Sequence, residues 1–123
     1  MSGGGLARKR AAYGYGRFAE LRCAWGLRLK GYRILARRYR SPAGEIDIIA
    51  RRGRTLVFVE VKARQDIETA IESLTERQRR RIRDAASLYV ARDKRLGMLD
   101  LRFDVMLVAR WRWPRHMIDA WRD

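Results

Sequence analysis

The sequence predicts an α/β domain in which helices flank a mixed β-sheet. Two helical patterns bracket a run of predicted strands, giving the order α-β-β-β-α-β, which is typical of a single layered domain. One strand, at residues 56–61, is apolar on both faces, as in a central strand covered from both sides. The length of 123 residues suits one core. We expect residues 17–123 to form this domain and residues 1–16 to be a flexible basic lead-in.

The first predicted helix runs from Phe18 to Lys30. Apolar residues recur there at helical spacing, and Glu20 shares a stripe with Ala24 and Leu27. An acid therefore lies on the inward face of this helix. Gly31 suits the left-handed residue that ends a helix, and residues 32–39 alternate loosely as a strand.

A β-hairpin is predicted next. Its strands are Glu45–Ala50 and Thr55–Ala63, and residues 51–54 form the loop between them. Glu60 interrupts the apolar run of the second strand.

The second predicted helix spans Thr75–Asp93 and opens with a capping box formed by Thr75 and Gln78. Its first turns are basic, although the helix macrodipole disfavours positive charge there, so an external anion would relieve the conflict. Leu101–Ala109 reads as a strand. The aromatic segment Trp111–Trp121 carries no clear secondary-structure pattern.

Charge and cysteine content narrow the function. The chain has 29 Lys and Arg against 14 Asp and Glu, a net charge of +15, which favours nucleic acid as a partner over a merely solvated basic surface. One cysteine and one histidine exclude a Cys/His metal cluster and fit a reducing compartment. The basic start lacks the apolar run of a secretory signal. We therefore expect a cytoplasmic protein without a membrane partner.

Three charged residues on the hairpin form a candidate site. Glu60 and Lys62 share a strand face, because side chains alternate along a strand. Asp47 joins that face if the hairpin loop has an even number of residues, whereas a loop of three would separate it. Neighbouring carboxylates repel unless a cation compensates them, and oxygen ligands suit Mg²⁺ or Mn²⁺. Lys62 could then orient the attacking water or stabilise the transition state. Ordinary ion pairs are the alternative.

The hairpin motifs resemble those of a known family. Gly44-Glu45-Ile46-Asp47-Ile48-Ile49-Ala50 and Val57-Phe58-Val59-Glu60-Val61-Lys62-Ala63-Arg64 are similar to the signature of the bacterial UPF0102 (YraN) family, whose site resembles PD-(D/E)xK nucleases and Holliday junction resolvases. The resemblance implies a restriction-endonuclease-like fold with Asp47 and Glu60 as metal ligands. It also implies that Lys62 is the catalytic lysine and that Glu20 reaches the site as a further catalytic and metal-binding acid.

Further residues have secondary roles. Glu45 is either an accessory acid or the partner of an arginine. The residues expected to contact nucleic acid are all arginines: Arg64, Arg77, Arg79, Arg80 and Arg81. The tryptophans at 111, 113 and 121 could stack on bases, His116 could act as a general base and Asp104 could be a further acid, but we favour structural roles for these residues and for Cys23.

The resulting prediction is a divalent-metal-dependent DNA endonuclease that hydrolyses phosphodiester bonds, with branched or structured DNA among its substrates. A homodimer would suit such substrates by symmetry. The alternative is a non-catalytic nucleic-acid-binding module of the same fold, and a third reading is a basic ribosome-associated protein.

Overall fold

The sheet has five strands in the order in which they occur along the chain, as seen in a computed structural model that describes residues 17–63, 67–109 and 112–122. The strands are β1 (Arg33–Arg40), β2 (Glu45–Arg52), β3 (Thr55–Lys62), β4 (Asp100–Leu107) and β5 (Arg115–Met117). Every neighbouring pair is antiparallel except β3 and β4, which run parallel. The predicted mixed sheet with flanking helices is confirmed.

Helices lie on both faces of this sheet. Residues 17–29 form α1, which precedes β1, whereas α2 (Ile67–Glu72) and α3 (Glu76–Val90) make the crossover from β3 to β4. A parallel pair needs such a crossover, because the chain must return to the starting edge of the sheet. None of the helices in the described ranges combines the length and apolar character needed to cross a bilayer.

α1 ends where the sequence predicts. The amide of Gly31 donates to the carbonyl of Arg28 and the amide of Tyr32 to that of Leu27, both at 3.0 Å. This hydrogen-bond pair requires a left-handed residue after the helix, and Gly31 supplies it with φ +90°. The turn leads the chain directly into β1.

The hairpin between β2 and β3 is tighter than predicted. Arg51 and Arg52 belong to β2, and Arg52 pairs with Thr55, so the loop contains only Gly53 and Arg54. Gly53 adopts φ +61°, which a short hairpin loop requires and which favours glycine. The loop still has an even number of residues, so the condition that brings Asp47 towards Glu60 is met.

The predicted capping box of α3 is present. Thr75 accepts from the Gln78 amide at 3.2 Å, and Gln78 accepts from the Thr75 amide at 3.3 Å. Helix α2 was not predicted, although Ala70 and Leu74 are buried four residues apart. β5 was not predicted either, because a strand of only three residues is too short to show a sequence pattern.

Two apolar clusters cover the central strand from either side. On the α1 side, Ala24 and Leu27 pack with Val57 and Val59. On the α3 side, the cluster contains Ile49, Leu56, Phe58, Ile82, Ala85, Ala86 and Tyr89. Four consecutive residues of β3, Leu56 to Val59, are at most 1% exposed, so this strand is the buried centre that its sequence predicts.

Candidate functional site

Two carboxyl groups meet where the β2–β3 ladder ends. Ile48 and Val59 are the last paired residues, and one further step places Asp47 opposite Glu60. The two side chains are close enough for each carboxyl group to affect the pKa of the other. Asp47 Oδ2 also accepts from the Val61 amide at 2.8 Å. In a regular ladder that amide would meet a backbone carbonyl, so the Asp47 side chain takes the place of the next ladder bond.

Burial dominates the electrostatics of this pair. The pKa of Glu60 is raised to about 8, chiefly by burial and also by the neighbouring Asp47 charge, while Lys62 opposes the shift. Burial also raises the pKa of Asp47, against the lowering effect of the Val61 amide. Two carboxyls this close cannot both be ionised cheaply, so without a cation the pair holds a proton between them.

Lys62 completes the predicted set on β3. Its Nζ lies 3.7 Å from Glu60 Oε1, and the two side chains are only 14% and 20% exposed. The structure therefore places Lys62 beside Glu60, on the strand face that alternation predicts.

The two acids nevertheless border different hollows. Asp47 lines a cavity of about 200 Å³ on the α1 side, together with Glu20, Arg38 and Val61. Glu60 lines a second hollow of about 290 Å³ on the α3 side, together with residues of the β1–β2 turn and of α3. The acid pair thus lies at a strand end that is open to both faces of the sheet. The face predicted to be shared by Asp47 and Glu60 is not observed, because the two acids border hollows on opposite sides of the sheet.

Glu20 lies near the pair but is held by an arginine. It is 6% exposed, and its Oε2 accepts from Arg38 Nε at 3.0 Å. Its charge contributes to the raised pKa of Asp47, which fits a position beside the cavity. Among the described residues, no group of three Asp, Glu, His or Cys side chains converges closely enough to hold a metal ion. The role of Glu20 as a metal ligand stays a prediction.

Arg38 was not singled out from the sequence. The flanking pairs Arg37–Ile48 and Tyr39–Ile46 place it opposite Asp47 in the sheet. Its φ of +53° is unusual for a residue other than glycine, and the side chain lines the same cavity as Glu20 and Asp47. The hairpin register, once known, is the signal that would have found it.

The donor set fits a hard divalent cation in chemistry. Asp47 and Glu60 offer half-buried carboxyl oxygens close to each other, and a bound cation would offset the repulsion between them when both are ionised. Glu45 is a weaker candidate, because its side chain is 68% exposed and lies 3.5 Å from Arg40 Nε.

The predicted nucleic-acid contacts are spread over α3. Arg77, Arg80 and Arg81 are exposed on the helix surface, whereas Arg79 is partly buried and its Nε lacks a hydrogen-bond partner. Arg81 is the one that lines the hollow beside Glu60, and its Nε donates to the Ala43 carbonyl at 3.4 Å. Arg64 lies outside the described residues. Among the exposed arginines of α3, Arg81 therefore lies next to the Asp47–Glu60 pair.

Asp104 and His116 have the structural role that we favoured. The buried Asp104 carboxylate contacts His116 Nε2 at 2.6 Å, accepts two bonds from Arg102 at 2.9 Å and accepts from the Asp119 amide at 2.8 Å. Burial acts to raise the pKa of Asp104, but these hydrogen bonds outweigh it and lower the pKa. The cluster ties β5 and the C-terminal segment to β4.

Two residues set aside from the sequence are also structural. Cys23 is fully buried in the α1-side cluster, and burial raises the pKa of its thiol to about 12. Trp121 is 5% exposed and stacks on Phe103, with the ring centroids 4.3 Å apart. Trp113 differs, because it is 58% exposed, and Trp111 lies outside the described residues.

Comparison with known proteins places the chain among bacterial relatives. The model of a family described as "Uncharacterised protein family UPF0102" matches residues 19–108. A UPF0102 protein of Parvibaculum lavamentivorans is 54% identical over 112 residues, covering 91% of this chain and 84% of that protein. Another, from Rhizobium meliloti, is 50% identical over 113 residues and covers 92% of this chain and 93% of the relative. The family match spans the acid pair, Lys62 and Glu20, and the chain belongs to the UPF0102 family.

Proposed function

We propose that this protein is a divalent-metal-dependent endonuclease that hydrolyses phosphodiester bonds in DNA. The observation that carries the proposal is the half-buried Asp47–Glu60 carboxyl pair with Lys62 beside it, at a strand end open to both faces. A core of this size does not need two acids in contact, since burying charge costs several kcal/mol unless it is well compensated.

Each residue of the site has a chemical role in this proposal. Asp47 and Glu60 would hold Mg²⁺ or Mn²⁺, which when bound supplies stabilisation for the negative charge that builds up on the phosphate oxygens. Lys62 donates to the attacking water or to a phosphate oxygen, within reach of Glu60. The attacking water would lose a proton to solvent as its oxygen forms the new bond to phosphorus, the bond to the leaving sugar oxygen would break, and that oxygen would take up a proton from solvent.

Positive charge supports DNA as the substrate. With a net charge of +15, the chain would neutralise several backbone phosphates, and such binding weakens as salt rises. Arg81, at the hollow next to Glu60, is the arginine best placed to contact a phosphate beside the acids. Arg38 faces the other hollow and is a second cation at the site.

The alternative is a nucleic-acid-binding module without catalysis. It is favoured by the ion pairs, because Glu20 is held by Arg38 at 3.0 Å and Glu60 lies 3.7 Å from Lys62. In that case the acids would serve only to fix the strand end, and the arginines of α3 would perform the binding.

The test is a cleavage assay on linear, single-stranded and four-way-junction DNA, with Mg²⁺ or Mn²⁺ and then with a chelator. We expect metal-dependent cleavage that Asp47→Asn and Glu60→Gln each reduce by at least ~100-fold, since both remove a charge on which the cation depends. Glu72→Gln is the matched control, because Glu72 is an exposed acid at the end of α2.

The outcomes separate the two functions. Cleavage that survives in a variant carrying both Asp47→Asn and Glu60→Gln would exclude these acids as the site. Binding without cleavage under either metal would favour the binding module.

A further inference from the structure

Helix α1 is apolar on its outer face as well as its inner face. Ala19, Cys23, Ala24 and Leu27 are at most 1% exposed and face the core. On the opposite side, a stripe at helical spacing is exposed, which we call the α1 outer stripe: Phe18 (57%), Leu21 (43%), Trp25 (59%) and Leu29 (72%). A surface helix of a monomeric domain normally turns a polar face to water. The exposed apolar stripe therefore indicates a binding surface.

Trp113 extends the stripe sideways. Its side chain is 58% exposed, and its ring edge lies 3.8 Å from where a Cβ of Gly26 would be. The segment that carries it is fixed to α1 by Arg22, whose guanidinium donates to the carbonyls of Ala109 and Arg112. Two half-exposed indoles and a phenyl ring therefore share one side of the molecule.

Arginines accompany the exposed rings. The Arg28 guanidinium lies 5.1 Å from the centre of the Trp25 ring, and that of Arg22 lies 5.8 Å from the Phe18 ring. The surface thus combines apolar planes with fixed positive charge in a chain of net charge +15. A second copy of the chain would bring like charges together, so the charge pattern favours an anionic partner.

We propose that the aromatic side chains of the α1 outer stripe, together with Trp113, bind the unpaired bases of single-stranded nucleic acid. Bases would stack on Trp25, Trp113 and Phe18, while Arg28 meets the backbone phosphates. A continuous duplex keeps its bases stacked inside and offers them no such contact. This inference rests on the proposed function in taking nucleic acid as the ligand, and it adds a preference for substrates with unpaired strands.

The position of the stripe relative to the acids supports a link between them. Glu20 lies on the inner side of the same helix and lines the cavity that Asp47 borders. The stripe is therefore about one helix diameter, roughly 10 Å, from that cavity. A strand held on the outer side would enter the site from a region where the bases are unpaired, as at a flap, a junction or a gap.

The experiment measures binding without catalysis. Fluorescence anisotropy of a labelled oligothymidylate and of a duplex of the same length is recorded with a chelator present. We expect Trp25→Ala to weaken oligothymidylate binding by roughly 5- to 100-fold, the loss of one base–aromatic stack, and to change duplex binding by less than about twofold. Trp25→Phe should restore most of the single-strand affinity.

Leu29→Ala is the matched control, because Leu29 is the most exposed member of the stripe and has no ring. Its single-strand affinity should stay close to that of the parent protein. Vesicles containing phosphatidylserine provide a second arm, since a basic and apolar helix face also suits a lipid surface. Vesicle binding that Trp25→Ala and Leu29→Ala both weaken, with oligothymidylate binding unchanged, would overturn the proposal in favour of a membrane.

Failure of this inference is distinguishable from failure of the nuclease proposal. If Trp25→Ala binds oligothymidylate like the parent while Asp47→Asn abolishes cleavage, the stacking surface is wrong and the nuclease stands. If no DNA is cut but Trp25→Ala binds oligothymidylate less tightly than the parent, the base-stacking proposal is supported and the protein is a binding module. Dimerisation that is lost in Trp25→Ala, with DNA affinity unchanged, would also overturn the proposal.

Discussion

Replacing Glu60 with glutamine should make the protein more stable at alkaline pH. Glutamine has the shape of a protonated glutamate and can keep a hydrogen bond to Asp47, but it carries no charge. The pKa of Glu60 is raised from 4.5 to about 8 by burial and by the nearby Asp47. At about 1.4 kcal/mol for each pH unit between these values, ionised Glu60 costs the folded state roughly 4 to 5 kcal/mol, part of which it shares with Asp47.

The sign follows from proton linkage. A carboxyl whose pKa is raised on folding contributes full stability below its unfolded value, and that contribution is lost as pH rises through the folded value. We therefore expect Glu60→Gln and the parent to have similar stability near pH 4.5. The stability of the variant relative to the parent should rise up to about pH 8 and stay at that level above it. A gain of at least ~2 kcal/mol corresponds to a rise in Tm of roughly 5 °C or more.

The measurement is thermal unfolding by circular dichroism across this pH range, with a chelator present. Glu72→Gln is the control for the substitution itself, and its difference from the parent should not change with pH. If Glu60→Gln differs from the parent by the same amount at acidic and alkaline pH, the buried carboxyl pair is not held as described.

Three further substitutions test the framework around the site. Asp104→Asn removes the charge that Arg102 contacts twice at 2.9 Å; we expect a loss of ~3–5 kcal/mol in urea unfolding, and a loss below ~1 kcal/mol would contradict the buried pairing. Gly44→Ala places a Cβ 3.1 Å from the carbonyl oxygen of Arg81; a cost of ~1–3 kcal/mol is expected in the same assay, and an unchanged midpoint would show that α3 moves aside freely. Thr75→Ala removes the side-chain cap of α3; the expected loss is ~1 kcal/mol of unfolding free energy, whereas Thr75→Ser should retain most of it.

Local sequence rules predicted the elements that carry the acids. The end of α1 at Gly31 and the capping box at Thr75 were confirmed in their hydrogen bonds, because both depend on residues within a few positions. The burial of β3 was also predictable, since a strand that is apolar on both faces can only lie in the middle. The predicted hairpin loop was two residues too long. Arg51 and Arg52 have a composition typical of loops, but pairing with β3 keeps them in β2.

The local rules could not reach features that depend on distant partners. The left-handed backbone of Arg38 and its bond to Glu20 join residues of β1 and α1, and nothing in the intervening sequence signals them. β5 contains three residues and exists only because β4 pairs with it and Asp104 holds the segment that follows. The inward face of α1 was predictable from Glu20, Ala24 and Leu27, whereas the exposure of apolar side chains on its other side became clear only from the packing.

The parallel pairing of β3 with β4 has a consequence for how quickly the domain folds. It joins positions as distant as Thr55 and Asp100, so its loop-closure entropy is large, whereas β1, β2 and β3 follow one another through short turns. Asp47, Glu60 and Lys62 all lie in this local meander. These three residues can therefore come together early in folding, before β4 pairs with the free edge of β3. A slow second phase, sensitive to changes in β4 and insensitive to changes in the β2–β3 turn, is the kinetic signature expected of this topology.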